Sequence, residues 1–125
     1  MKIELRHGIP YIEVIFKHNE KKVSLKNVVL DTGSGGTVFS TEIAIVLGLE
    51  AVLEDNIHRI RGIGGTEYVY EKTINSIMIG DNEIKNFKVQ IGAMNYGFNI
   101  DAILGMDFLR HGKFVIDCNK LEILI

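Results

Sequence analysis

Leu30 to Phe39 reads LDTGSGGTVF. The apolar run Val28-Val29-Leu30 delivers a carboxylate, Asp31, to the edge of a core, and glycines and small hydroxyl residues follow at once. The upstream segment KKVSLKNVVL (Lys21 to Leu30) becomes wholly apolar as it nears Asp31, which predicts a strand whose last residues are buried. Downstream, STEIAIVLGL supplies a short helix. Ser40 can cap it, Ile43, Val46 and Leu47 fall at helical spacing, and Gly48 can end it.

Working outward, short apolar alternation interrupted by Gly and Asn dominates, which predicts a mostly β protein. Ile12, Val14 and Phe16 share one face of an early strand. HRIRGIGGTEYVYE (His58 to Glu71) reads as a hairpin with its tip at Gly62 to Gly65 and with Tyr68 and Tyr70 on one face of the return strand. INSIMIGDNEIKNFKVQI (Ile74 to Ile91) reads as a second hairpin turning around Asp81 and Asn82, with Phe87, Val89 and Ile91 inward. After a looser segment, GAMNYGFN, the run DAILGMDFLRHG repeats the earlier plan of an apolar strand, a glycine and a helical turn, with Gly112 as its stop. KFVIDCNKLEILI closes the chain as a hairpin turning near Asn119.

The 125 residues suit one domain over 1–125. A hydrophobic content of 46%, a charged content of 24% and a net charge of −2 leave no field that would draw nucleic acid or an anionic membrane. Cys118 is the single cysteine, so no intrachain disulfide forms, and a reducing compartment is expected. MKIELRHGIPYIEV alternates charged and apolar residues where a signal peptide needs an unbroken apolar core, so the expected location is cytoplasmic. His7, His18, His58 and His111 show no ligand spacing with acids, and neither glycine cluster is followed by Lys-Ser/Thr, so no metal, phosphate site or other cofactor is expected.

A lone Asp-Thr-Gly reads first as a solvated turn acid at a strand end, since Asp and Gly are common turn residues. One carboxylate is also a poor hydrolytic device, because attack on an amide needs a base to take a proton from water and an acid to polarise the carbonyl. Two carboxylates held together meet both needs, since like charges cannot both ionise and the pair shares a proton; aspartic proteases are the standard instance. Asp-Thr-Gly occurs once in this chain, so the second acid would come from a second copy across a two-fold axis.

The stretch LDTGSGGTVF resembles the active-site turn of retroviral-type (retropepsin-like) aspartic proteases. RGIGGT is similar to that family's glycine-rich flap, and AILGMDFL to the element before its C-terminal helix. The resemblance implies a closed acid-protease barrel with one or two short helices, acting as a homodimeric endopeptidase on a peptide or protein substrate. It implies Asp31 as the catalytic acid/base, with Thr32 bracing two such turns, Gly33 as a backbone contact and Ser34 keeping the floor small. It further implies Gly62, Ile63, Gly64 and Gly65 as a substrate-binding flap, and Asp101, Ile103, Leu104 and Gly105 along the cleft wall. Gly35 and Gly36 depart from the pattern, standing where side chains are usual, and so does the charge at Asp101. A peptide- or protein-binding module of the same fold without catalysis is the alternative. Asp107 reads as a surface or capping acid, Asp117 as a solvated strand residue, and Cys118, alternating with Phe114 and Ile116, as a core thiol.

Overall fold

The computed structural model describes residues 1–62, 65–94 and 99–125. Its strands are β1 (Glu4–Arg6), β2 (Ile9–His18), β3 (Lys21–Leu30), β4 (Val38–Ser40), β5 (Ile57–Gly62), β6 (Gly65–Ile79), β7 (Asn82–Gly92), β8 (Ala102–Leu104), β9 (Val115–Asp117) and β10 (Glu122–Leu124). Two short helices, α1 (Thr41–Leu47) and α2 (Met106–His111), follow β4 and β8.

The order β2-β3-β8-β4-β7-β6 closes on itself through a β2–β6 pairing, giving a six-stranded barrel with β1 and β5 flanking it. Closure leaves the ring strands without a free edge. The mostly β barrel with two short helices expected from the sequence is therefore the observed fold.

Alternation explains the interior. Val14 and Phe16 of β2, Val28 and Leu30 of β3, Val89 and Ile91 of β7, and Ala102 and Leu104 of β8 are buried together, with Phe39 set edge-on to Phe16 at 4.6 Å between ring centroids. Phe108 of α2 enters the same core and meets Phe87 edge-on at 5.4 Å. One feature of the pairing sets up the site. β8 runs parallel to β3 on one side and antiparallel to β4 on the other. The segment from Asp31 to Thr37 joins β3 to β4, so it has to pass over the C-terminal end of the strand between them.

Helix α1 begins and ends at the residues the sequence marks. The Ser40 hydroxyl accepts a hydrogen bond from Ile43 N–H at 3.2 Å, and Gly48 takes the left-handed conformation at φ 74° while Leu49 N–H returns to Ala44 O. The inward face comprises Ile43, Ala44 and Leu47, whereas Val46 is exposed, because a helix this short turns only one narrow stripe toward the barrel.

Three readings need correction. Glu71 and Ile74 do not belong to separate hairpins: no turn-forming residue separates them, and β6 runs unbroken from Gly65 to Ile79, pairing with β5, β7 and β2 in succession. The following turn lies one residue earlier than expected, at Gly80 and Asp81, because Gly80 supplies the positive φ of 58° that a two-residue hairpin requires. Cys118 is exposed; it sits in the turn after β9, where the strand's alternation has already ended.

The loop before β5 is anchored rather than free. Tyr70 O–H donates to Leu49 O at 3.0 Å, and the Asp55 carboxylate takes Val52 N–H at 2.7 Å and pairs with Lys72 Nζ at 2.9 Å. The Val52 N–H, and after it the Lys72 ammonium, hold the Asp55 carboxyl below the usual carboxylate range. Its contribution is thus complete at neutral pH and is lost as pH falls through that lowered value.

Replacing Ser40 by Ala removes the cap of a helix that follows the barrel directly. The expected cost is about 1 kcal/mol, read as a lower urea midpoint with an unchanged slope.

Candidate active site

Asp31 follows the buried end of β3 and extends its ladder by one step, since Asp31 N–H donates to Leu104 O at 3.0 Å. Two residues beyond Val29, it falls on Val29's face of the sheet, outside the barrel core. The carboxylate is half-buried and folds back on its own turn, with Oδ1 accepting Gly33 N–H at 2.9 Å. Only a glycine suits this approach comfortably, because a Cβ at position 33 would lie 3.2 Å from that same oxygen. Thr32 is exposed, and the Ser34 hydroxyl donates to Gly36 O at 2.7 Å, closing the turn on itself.

The turn is strapped to the strand end that it crosses. Met106 N–H donates to Ser34 O at 2.8 Å, and Gly105 N–H donates to Thr37 Oγ1 at 3.1 Å. Gly105 must lack a side chain here: an added Cβ would collide with the Gly36 carbonyl oxygen and lie 2.7 Å from Ser34 O. Thr37 is 1% exposed, and its hydroxyl, already accepting from a backbone N–H, sends its proton to Asp107 Oδ1 at 2.8 Å. Asp107 Oδ2 also accepts Thr37 N–H at 3.2 Å, while Oδ1 accepts Phe108 N–H at 2.7 Å. The relay therefore runs from Gly105 N–H to Thr37 O–H and from Thr37 O–H to the accepting Asp107 carboxylate.

Asp107 and Thr37 were not singled out as site residues by sequence reasoning. Asp107 lies in the first turn of α2, where Gly105 rather than an acid is the N-cap, and its carboxylate fixes the far end of the Asp31 turn. The available signal, a polar residue two after a buried glycine, is too weak to pair positions 70 residues apart.

The other sequence-derived site residues divide. Ile103 pairs in register with Val29 and Val38 on the Asp31 face, and Gly105 lies under the turn. Leu104 is fully buried on the core face, because it alternates with Ile103; its contribution to the site is a carbonyl, not a wall. Asp101 sits level with Asn27, at the opposite end of β8 from Gly105. Its backbone takes part in two hydrogen bonds, N–H to Asn27 O at 2.8 Å and O from Ser40 N–H at 2.9 Å. Four residues of strand separate its level from that of Asp31, about 13 Å at the usual rise, so its carboxylate is not beside that of Asp31. Gly62 and Gly65 are register partners closing the β5–β6 hairpin, while Ile63 and Gly64 lie outside the described residues. A hollow of about 240 Å³ beside β1 is lined by residues that include Arg6 and Tyr11 and none of the Asp31 turn.

Comparison with known proteins agrees with this geometry. Residues 17–111 match the family described as "gag-polyprotein putative aspartyl protease". No curated protein sequence gives a significant match. The structure is similar to the crystal structure of a retropepsin-like aspartic protease from Rickettsia conorii, with a TM-score of 0.70 and 28% identity over 97% of this chain and 93% of that one. The chain belongs to the retropepsin-like aspartic protease family.

The strap can be tested by stability. Thr37→Val leaves Gly105 N–H without an acceptor and takes one of three donors from Asp107, at an expected cost of about 2–3 kcal/mol. Thr37→Ser keeps the hydroxyl and should cost only about 1 kcal/mol for the lost methyl. Equal urea midpoints for the two variants would show that the hydroxyl relay does not hold the turn.

Proposed function

We propose that the protein is a homodimeric aspartic endopeptidase in which Asp31 of each copy forms one half of a catalytic dyad. The observation that carries this reading is the Asp31 turn itself: a half-buried carboxylate with one oxygen on Gly33 N–H, on a turn whose Ser34 and Gly36 carbonyls pack against Gly105, in a chain of the aspartic protease family. Asp-Thr-Gly occurs once in the sequence, so the second acid belongs to a second copy, with exposed Thr32 available to brace the two turns.

In this mechanism one Asp31 carboxylate takes a proton from a water held between the pair, and the water oxygen adds to the peptide carbonyl carbon. The other Asp31, protonated, donates to the carbonyl oxygen. Collapse of the tetrahedral intermediate breaks the C–N bond as the departing nitrogen takes a proton from the dyad. The Gly33 N–H steadies each carboxylate without consuming its outer oxygen. The substrate lies extended against the Val29, Ile103 and Val38 face, beneath the β5–β6 hairpin, as an added strand with alternate side chains directed at the wall. The single cysteine and near-neutral charge favour action in the cytoplasm as one domain over 1–125, and among the described residues no helix is long and apolar enough to cross a membrane.

Asp31→Asn keeps the turn's shape but removes the titrating group. Peptide cleavage should fall by two orders of magnitude or more, about the range that positioned acid–base groups supply, with the sedimentation coefficient and urea midpoint unchanged. Cleavage by Asp31→Asn at the wild-type rate would refute the mechanism. A wild-type protein that stays monomeric and binds peptides without cutting them would favour the binding-module alternative.

A further inference from the structure

The strand register extends the Asp31 face into one continuous row across the sheet. Tyr11 pairs with Val29, Val29 with Ile103, Ile103 with Val38, Val38 with Gln90, and Gln90 with Glu71. Partners in register project from the same face, so this row forms the wall beside Asp31. The wall is apolar through Val29, Ile103 and Val38 and becomes polar at Gln90.

Gln90 is coupled to the catalytic turn in two ways. Its backbone N–H donates to Thr37 O at 2.9 Å. Its side chain lies over Gly36: a Cβ built at position 36 would come within 2.8 Å of Gln90 Oε1 and 3.3 Å of its Cδ. Gly36 is one of the two turn positions where the sequence has glycine in place of the usual side chain. The carboxamide of Gln90 therefore occupies the space beside the turn that Gly36 leaves open. It is half-exposed and forms no side-chain hydrogen bond among the described residues, so its two donors and its acceptor face solvent. Glu71, the next residue in the row, is already engaged: its carboxylate meets His58 Nε2 at 2.7 Å and Lys88 Nζ at 3.8 Å, and only 17% of its side chain is exposed.

We propose that Gln90 is a specificity-determining residue, and that its carboxamide selects substrates carrying a carboxamide side chain, Asn or Gln, at the position that packs along this wall. Two primary amides can pair through two hydrogen bonds, each donating one N–H to the other's carbonyl. An aliphatic side chain reaching the same place leaves the amide of Gln90 desolvated and unpaired, and a site built to hydrogen-bond discriminates strongly against such a side chain. This inference rests on the peptidase reading above.

The test is cleavage of a position-randomised peptide library by wild type, Gln90→Leu and Gln90→Glu, with urea midpoints confirming that all three fold. Wild type should prefer Asn or Gln at one position by about tenfold over Leu. Gln90→Leu should reverse that preference toward aliphatic residues at the same position, and Gln90→Glu should move it toward Lys and Arg, with other positions unchanged. Three superimposable profiles from active enzymes would overturn the role of Gln90 and leave the peptidase reading standing. No cleavage by wild type would overturn both.

Discussion

The turn from Asp31 to Thr37 has to pass over the end of β8, because β3 before it and β4 after it both pair with that strand. This constraint governs the rest of the site. Where a chain segment arches over a buried strand end, the backbone groups pressed between the two are cut off from water and need partners within the crossing. The crossing supplies them: Leu104 O for Asp31 N–H, Ser34 O for Met106 N–H, and Thr37 Oγ1 for Gly105 N–H. Contact this close excludes a side chain at Gly105, and it places Thr37 where its hydroxyl must both accept and donate.

A carboxylate mounted on such a support is held by backbone geometry rather than by a rotamer of its own choosing. Gly33 N–H fixes one of its two oxygens. Positioning of this kind lets a catalytic group act without reorganising during the reaction. The same crossing shapes the wall next to it. Short strands β4 and β8 bring Val38 and Ile103 beside Val29, and β7 joins through Gln90, so the support and the row of side chains next to it are built from one set of pairings.

The elements visible in the sequence are those that depend on near neighbours. The apolar run into Asp31, the cap at Ser40, the αL stop at Gly48 and the Ile103-Leu104-Gly105 element each follow from residues within a few positions of one another. Resemblance to a known family then carried the barrel, which local patterns alone would not have closed. Long-range choices stayed hidden. That β8 inserts between β3 and β4 depends on parallel pairing across more than seventy residues, and the tie between Thr37 and Asp107 exists only once that insertion is made. Leu104 was grouped with Ile103 in the wall because a sequence run does not say which face each member takes until the register is known. Gln90 gave no local sign at all: its relation to Gly36 is the absence of one side chain meeting the presence of another on a distant strand.

The central claim is that catalysis requires one Asp31 from each of two copies. Mixing unfolded wild-type and Asp31→Asn chains in equal amounts, refolding them together and measuring peptide cleavage per wild-type chain tests it directly. Random pairing leaves about half of the wild-type chains with a wild-type mate, so activity per wild-type chain should fall to about half, and further as the variant is added in excess. Activity per wild-type chain that stays constant at every mixing ratio would mean that each chain works with its own Asp31 alone, contrary to the account.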